Sequence, residues 1–293
     1  MELTRRMKIT LVAIFILLLL GILVLAGLSL GSSVGWVKSG LSQVKSLGGS
    51  LTTSWNHLFI KKIDQTYSIS NGESIDFTAS IGNVTVQQGK NKQVQVLAQV
   101  GFGGLSTQDA KLQAENFQLT RSGSLNGLQL TLGNVAGLNH TSNIRKVEVL
   151  VIVPANAVLQ IDDHLGNVNA TGKYHSIQVQ DDLGNITLSG NSVTSTVLSD
   201  NMGNISFQGD PGVSSNFTNN MGNVSLVFVG KRNLQINATT DLGNISGSLG
   251  QLTVQSSHHW TGTTGNGNGG TPTGTVSVSN NLGNISLNEV NNG

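Results

Sequence analysis

Apolar and polar residues alternate over most of the chain after residue 63. A period of two is typical of strands with one buried face. In residues 177–188 the alternation continues on both sides of a Leu-Gly-Asn-Ile motif. Gly adopts positive φ without cost and Asn tolerates it better than most residues, so we expect a two-residue corner there with Leu183 and Ile186 both pointing inward. The pattern predicts a strand, a corner and a second strand.

The corner motif occurs six times in the second half of the chain. The copies are Leu165-Gly166-Asn167-Val168, Leu183-Gly184-Asn185-Ile186, Met202-Gly203-Asn204-Ile205, Met221-Gly222-Asn223-Val224, Leu242-Gly243-Asn244-Ile245 and Leu282-Gly283-Asn284-Ile285. Their glycines are 18, 19, 19, 21 and 40 residues apart, so the last gap is about two periods. A fixed period near 19 predicts units that bury their apolar faces against their neighbours. We therefore expect an all-β fold, a single-stranded parallel β-helix or similar β-solenoid with a right-handed coil.

Equivalent residues of such a stack lie about 4.8 Å apart. We expect the corner asparagines to form a column whose amides hydrogen-bond along it. The predicted structural turn ladder consists of Gly166, Asn167, Gly184, Asn185, Gly203, Asn204, Gly222, Asn223, Gly243, Asn244, Gly283 and Asn284.

Calcium binding is the alternative function of the corners, because Asp residues precede several of them and hard cations prefer oxygen ligands. The candidates are Asp163, Asp182, Asp200 and Asp241. Asn replaces Asp freely at these positions, which removes charge, and the glycine-aspartate nonapeptide of calcium-binding β-rolls is absent. The sequence therefore predicts no metal site.

Four segments depart from the regular period. Further corner motifs begin at Ile81 and Leu132, and residues 147–154 form a strong strand pattern that ends at Pro154 and leads into the stack. Residues 256–274 are a Gly-rich insertion that accounts for the doubled gap. We expect a surface loop there with Trp260 packed on the solenoid; a metal or glycan site at His258 and His259 is the alternative.

Residues 9–30 are almost entirely apolar and carry no charge. At 1.5 Å per residue they would span roughly 33 Å, enough to cross a hydrocarbon core of about 30 Å. Basic residues precede the segment, so residues 1–8 are predicted to be a cytoplasmic tail and the rest of the chain to lie outside the cell membrane, held by a single-pass anchor. A cleaved signal peptide is the alternative, but the run is long and lacks a convincing cleavage site.

Residues 31–62 repeat apolar side chains at steps of three and four, which is typical of an amphipathic helix. Three interpretations remain open for this juxtamembrane segment: an interfacial helix, a helix packed on the base of the β domain, or a self-associating stalk. The basic side chains Lys38, Lys45, Lys61 and Lys62 could meet anionic lipid headgroups. The β-solenoid ectodomain is predicted to cover residues 63–290.

Composition limits the possible functions. The chain has 16 Lys and Arg against 15 Asp and Glu, but seven of the basic residues and only one acid lie in residues 1–62. The remaining ectodomain is mildly acidic, which disfavours nucleic acid as a partner. There is no Cys, and no catalytic or nucleotide-binding motif is found. The sequence predicts a protein that is not an enzyme and has no catalytic residues and no cofactor.

The first repeat units of the chain resemble a known protein family. The segment Ser70-Asn71-Gly72-Glu73-Ser74-Ile75-Asp76, the motif Ile81-Gly82-Asn83-Val84 and the run from Val147 to Pro154 before serial Gly-Asn-Ile turns are similar to the prokaryotic putative-adhesin β-strand-repeat family. The resemblance covers residues 65–290. It implies a parallel β-helix-like ectodomain, similar to the toastrack domains of envelope-stress membrane proteins, and a surface or adhesive role. It implies no catalytic residues.

Two function classes follow. The first is a membrane-anchored, non-catalytic, adhesin-like module that binds a protein or glycan at the cell surface. The second is a structural or sensing subunit of a cell-envelope stress assembly. The resemblance favours the first.

Overall fold

The computed structural model describes residues 58–70, 72–90, 92–124, 127–134, 143–230, 232–265 and 271–290. These residues form an all-β unit with one short helix. The predicted tail, membrane anchor and most of the juxtamembrane segment lie outside the described residues. Within the described ranges, no helix is both long enough and apolar enough to cross a membrane.

Eighteen strands and one helix make up the described unit. In chain order they are β1 (Leu58–Ser68), β2 (Ser74–Ala79), β3 (Asn83–Gly89), β4 (Gln93–Gly103), α1 (Thr107–Glu115), β5 (Phe117–Ser124), β6 (Gly127–Asn134), β7 (Ile144–Pro154), β8 (Ala157–Asp163), β9 (Gly166–Met202), β10 (Ile205–Asp210), β11 (Ser214–Met221), β12 (Val224–Val229), β13 (Leu234–Leu242), β14 (Ile245–Ser248), β15 (Gln251–Gln255), β16 (His259–Thr263), β17 (Gly274–Leu282) and β18 (Ile285–Val290).

The corner motifs divide the central strands into two sets. We call one strand before a corner, the corner and the strand after it a rung. Strands before corners pair in parallel with one another, as β8 does with β9 and β11 with β17. Strands after corners do the same, as β10 does with β12. β9 is 37 residues long and bends through one complete corner, so it contributes to both sets.

Register follows the period of the sequence in the middle of the stack. Ile161 lies opposite Val179, and Ile205 lies opposite both Ile186 and Val224. The apolar side chains of the alternation face inward and are buried. Register of this kind is strongly specified, because a slip by one residue would expose every buried side chain.

The order of the rungs departs from the order of the chain at the C-terminal end. β17 lies between β11 and β13, and β18 lies between β12 and β14. The rung of residues 274–290 is therefore inserted between the rungs of residues 214–229 and 234–248. The two strands that precede this rung in the chain, β15 and β16, pair antiparallel with each other. β16 also pairs antiparallel with β13, on the edge of β13 that faces away from β17.

The N-terminal end has a matching arrangement. β2 lies between β6 and β8, and β3 lies between β7 and β9. β4 pairs antiparallel with β7 and with β1, while β5 pairs antiparallel with β6. Antiparallel strands thus cover the parallel stack at both ends, which protects the open backbone groups of its terminal rungs.

Two predicted boundaries are wrong. Residues 58–62 begin strand β1 and do not end an amphipathic helix, because β4 offers this segment a full antiparallel partner. On that strand Lys61 Nζ donates hydrogen bonds to the carbonyl oxygens of Ala114 and Phe117, at the end of α1. The insertion at 256–274 is not wholly a loop either, since it contains β16 with Trp260 buried.

Candidate binding edge

The asparagines of the corners are joined into one column. Asn204 illustrates the contact: its backbone N–H and its Nδ2 donate to Oδ1 of Asn185, at 3.1 and 2.9 Å. Its own Oδ1 accepts the N–H of Asn223 at 2.9 Å. The asparagine column runs in the order Asn83, Asn167, Asn185, Asn204, Asn223, Asn284 and Asn244. Every amide of the column except that of Asn244 accepts the backbone N–H of the next asparagine, a group that the bend would otherwise leave without a partner.

The column also contains a residue outside the predicted ladder and one change of order. Asn83 lies at its N-terminal end, where its Nδ2 donates to Glu148 Oε1 at 3.1 Å. Asn284 lies between Asn223 and Asn244, because the last rung is inserted there. Constant spacing in sequence cannot reveal such an insertion.

The corner glycines are needed mainly because the backbones of neighbouring rungs come very close. A Cβ on Gly184 would lie 1.3 Å from the carbonyl oxygen of Gly166, and a Cβ on Gly203 would lie 1.3 Å from that of Gly184. Positive φ is an additional requirement in only some corners, including Gly82 (131°), Gly222 (139°) and Gly283 (135°). The predicted reason, tolerance of positive φ, therefore explains only part of the pattern.

The first residue of each of the six regularly spaced corner motifs lies at least partly at the surface, contrary to the prediction for Leu183. Leu183 is 42% exposed, whereas Ile186 is buried. The bend ends the alternation two residues earlier than the apolar pattern suggests, so Asp181 takes the last inward position before the corner. These apolar side chains form a row that we call the apolar ridge, made of the exposed Leu165, Leu183, Met202, Leu282 and Leu242 and of Met221, which is half-buried.

A second column of polar side chains lies beside the apolar ridge. Asn220 Nδ2 donates to Asn201 Oδ1 at 2.9 Å, and Asn281 Nδ2 donates to Asn220 Oδ1 at 2.7 Å. Asp182 and Asp241 occupy the corresponding exposed positions in other rungs. We call this set the outer amide column. A shallow groove of about 180 Å³ lies against it, which is small compared with the roughly 300–1,000 Å³ of pockets that enclose a small molecule.

Directly inside this edge lies a column of buried polar residues. Its members are Asp163, Asp181, Asp200, Asn219, Asn280 and Thr240. Burial, reinforced by neighbouring carboxylates, raises the pKa of Asp163 and of Asp200 to about 7. Burial is also the main cause that raises the pKa of Asp181 to about 6. A period of two counted from Ile177 and Val179 already places Asp181 on the inner face, and sequence reasoning missed this signal because it took Leu183 as the inward residue before the corner.

The acids considered for calcium lie on two different faces. Asp163 and Asp200 point inward and are buried, whereas Asp182 and Asp241 are exposed. His258 is exposed and its Nδ1 lies 2.7 Å from Ser257 Oγ. In the part of the chain that the structure describes, no three His, Cys, Asp or Glu side chains are grouped so that they could hold a metal ion.

Several solved structures similar to this chain are named as adhesins or cell adhesion proteins, in agreement with the resemblance found in the sequence. The chain is similar to a putative cell adhesion protein from Clostridium sporogenes, with 10% identity, a TM-score of 0.46, and coverage of 78% of this chain and 100% of the other. Putative adhesins from Bacteroides fragilis and Parabacteroides distasonis share 11% identity each, with TM-scores of 0.27 and 0.29 and coverage of 78% of this chain and 97% of theirs. No protein-family model and no curated protein matches the chain. Function is therefore argued from the geometry of this chain itself.

Proposed function

We propose that the protein is a membrane-anchored, surface-exposed, non-catalytic, adhesin-like binding module, and that its stack is a right-handed β-solenoid. The observation that carries the proposal is the binding edge, by which we mean the apolar ridge, the asparagine column and the outer amide column together. The same polar and apolar groups are repeated rung after rung along one edge.

An extended polymer is the kind of partner that such an edge fits. Amides offer both donors and acceptors to hydroxyl or peptide groups, and the exposed Leu and Met side chains offer apolar contact between them. Repeated weak contacts give useful avidity when ligand and protein both repeat. A glycan or wall polymer has these properties, whereas the acidic balance of residues 63–293 disfavours the polyphosphate backbone of nucleic acid.

The anchor in this proposal rests on the sequence of residues 9–30. The basic residues before this segment favour a location of the stack outside the membrane, where a surface polymer could reach it. The parallel register, repeated at 18 or 19 residues in the central rungs, supports the solenoid part of the proposal.

Pull-down on insoluble wall polysaccharide tests the function. The full chain would be incubated with peptidoglycan, chitin and cellulose, and bound protein measured. We expect binding to at least one of them, reduced about tenfold or more when Leu183, Met202 and Met221 are replaced together by Ser. The matched control replaces Val193 and Val213 by Ser, since these side chains are 54% and 46% exposed but lie outside the binding edge.

Two results would contradict the proposal. One is equal binding by the edge variant and the control variant. The other is absence of binding to all three polymers combined with co-purification of another membrane protein, lost when Val37, Leu41 and Val44 become Ser. That second result would favour the envelope-stress subunit.

A further inference from the structure

Two of the three buried aspartates, Asp181 and Asp200, have one carboxylate oxygen that accepts a hydrogen bond and one that does not, and neither oxygen of Asp163 has a hydrogen-bond partner. Oδ1 of Asp181 accepts the backbone N–H of Leu183 at 3.2 Å, and Oδ1 of Asp200 accepts that of Met202 at 3.1 Å. Oδ2 of Asp163, Asp181 and Asp200 is buried and has no hydrogen-bond partner. A buried carboxylate oxygen without a donor is costly, so its surroundings require an explanation.

In later rungs, the side chains at the same position of the buried column donate a hydrogen bond to the neighbouring rung. Asn219 Nδ2 donates to the carbonyl oxygen of Gly203 at 3.0 Å, and Asn280 Nδ2 donates to that of Gly222 at 2.9 Å. In the rung beyond, Thr240 Oγ1 donates to the carbonyl oxygen of Gly283 at 3.0 Å. In all three rungs the side chain is a donor, and its acceptor is the corner glycine of the neighbouring rung.

The aspartate rungs present the same acceptor. A Cβ added to Gly184 would lie 1.3 Å from the carbonyl oxygen of Gly166 and 2.5 Å from Asp181 Oδ2. The Cβ position of Gly203 lies 1.3 Å from the carbonyl oxygen of Gly184 and 2.6 Å from Asp200 Oδ2. The two oxygens of each pair are therefore less than about 4 Å apart in a buried site, where two acceptors attract only if one carries a proton.

We propose that Asp163, Asp181 and Asp200 are proton-binding sites of the stack, held as neutral acids whose Oδ2–H groups donate to the carbonyl oxygens of Gly82, Gly166 and Gly184. Each neutral acid then reproduces the contact of Asn219. Folding takes up as many as three protons, and the binding edge is most stable in a mildly acidic exterior.

The charged groups around the three buried carboxyls are mostly negative, which favours the neutral, protonated form of each acid. The groups that act on the three carboxyls are the carboxylates of one another and of Asp162 and Asp182, together with one imidazole, His164. His164 is exposed and its Nδ1 lies 3.7 Å from Asp162 Oδ1 and from Asp182 Oδ2. It therefore pairs first with the outward acids.

The direction of the pH dependence follows from linkage. A carboxyl whose folded pKa lies above its unfolded value favours folding below the unfolded pKa, and this contribution is lost as pH rises through the folded pKa. The ordinary value is 3.8, and the folded pKa values are about 6 for Asp181 and about 7 for Asp163 and Asp200. Stability should therefore fall as the pH rises from about 4 through about 7, so that a large part of the loss lies between pH 5 and pH 8.

Thermal unfolding of the full chain at pH 5 and pH 8 provides the test. We expect the wild-type midpoint to be lower at pH 8 by about 5 °C or more. In the triple variant Asp163→Asn, Asp181→Asn, Asp200→Asn, the amides donate permanently, so less than a third of this difference should remain. The matched control, Asp162→Asn with Asp182→Asn, changes outward acids of the same rungs and should keep most of it. The variant His164→Gln removes the imidazole, and it should also keep most of the wild-type difference in midpoint between pH 5 and pH 8.

Infrared spectroscopy gives a second readout that does not depend on how well the variants fold. The wild-type chain at pH 5.5, where ordinary exposed aspartates are ionised, should show the carbonyl stretch of a buried protonated carboxylic acid, and Asp200→Asn should weaken it. A wild-type midpoint that is equal or higher at pH 8, a triple variant with the full wild-type pH dependence, or the absence of that band would overturn the proposal. Loss of polysaccharide binding alone would concern the proposed function and not the proton sites.

Discussion

Replacement of Gly184 by Ala examines the contact that brings the rungs together. The added Cβ would lie 1.3 Å from the carbonyl oxygen of Gly166, whereas real Cβ contacts are essentially never shorter than 3.0 Å. The obstacle is backbone, which cannot rotate away as a side chain could. The two rungs would have to separate locally, and the corner would lose its close packing.

The cost can be worked out from the bonds that this separation breaks. Asn185 donates to Asn167 Oδ1 through its backbone N–H at 3.1 Å and through Nδ2 at 2.8 Å. Loss of two such hydrogen bonds costs about 1 kcal/mol each, and displacement of the adjacent buried Ile186 adds about 1–2 kcal/mol. We therefore expect Gly184→Ala to lower the free energy of unfolding by about 3–4 kcal/mol.

Urea denaturation followed by circular dichroism at constant pH measures this effect. Gly123→Ala is the matched control, because a Cβ at Gly123 has nothing within 4 Å and the residue does not have positive φ. The control should stay within about 0.5 kcal/mol of the wild type. If Gly184→Ala also stayed within about 1 kcal/mol of the wild type, the close stacking of glycine on glycine would be refuted.

Two further substitutions test the column and the core by the same denaturation assay. Asn204→Ala leaves the N–H of Asn223 without its acceptor and should cost about 1–2 kcal/mol, while Asn216→Ala, an exposed strand asparagine bonded only locally, should cost less than about 0.5 kcal/mol; equal effects would contradict a structural role for the column. Phe217→Ala removes a fully buried ring and should cost about 3–5 kcal/mol, whereas Leu242→Ala on the apolar ridge, at 65% exposure, should be near neutral; a large loss at Leu242 would show that the ridge is buried.

The central rungs could be predicted from the sequence because their information is local. Alternation places Ile161 and Val179 on one face, and a constant period brings each over the other. The corner motif also indicates which asparagines meet, since Gly and Asn occur together wherever the backbone bends tightly. These features need only residues that lie within one or two periods of each other.

The other features depend on contacts that local patterns do not contain. Leu183 points outward although a period of two places it on the same face as the buried Asp181, because the bend begins before the motif. The insertion of residues 274–290 does not follow from local spacing, because β17 occupies the edge of β13 opposite the edge that pairs with β16. The short helix α1 begins at a Ser106 cap that resembles many loop serines in this Ser-rich chain.

Cysteine cross-linking tests the order of the rungs most directly, and the chain has no Cys of its own. Ser225 and Ser286 are register partners on β12 and β18, and Ser286 in turn pairs with Ser246 on β14. Parallel partners have Cα atoms about 4.8 Å apart, which suits a disulfide, whereas positions two rungs apart are separated by about 9.6 Å, beyond its limit of about 7 Å.

The measurement is the yield of intramolecular disulfide in the folded full chain under mild oxidation, identified by peptide mass spectrometry. The pair Ser225→Cys with Ser286→Cys should cross-link nearly completely. The pair Ser225→Cys with Ser246→Cys should not cross-link, although those residues belong to rungs that are consecutive in sequence. Efficient cross-linking of the second pair and none of the first would contradict the stack described here.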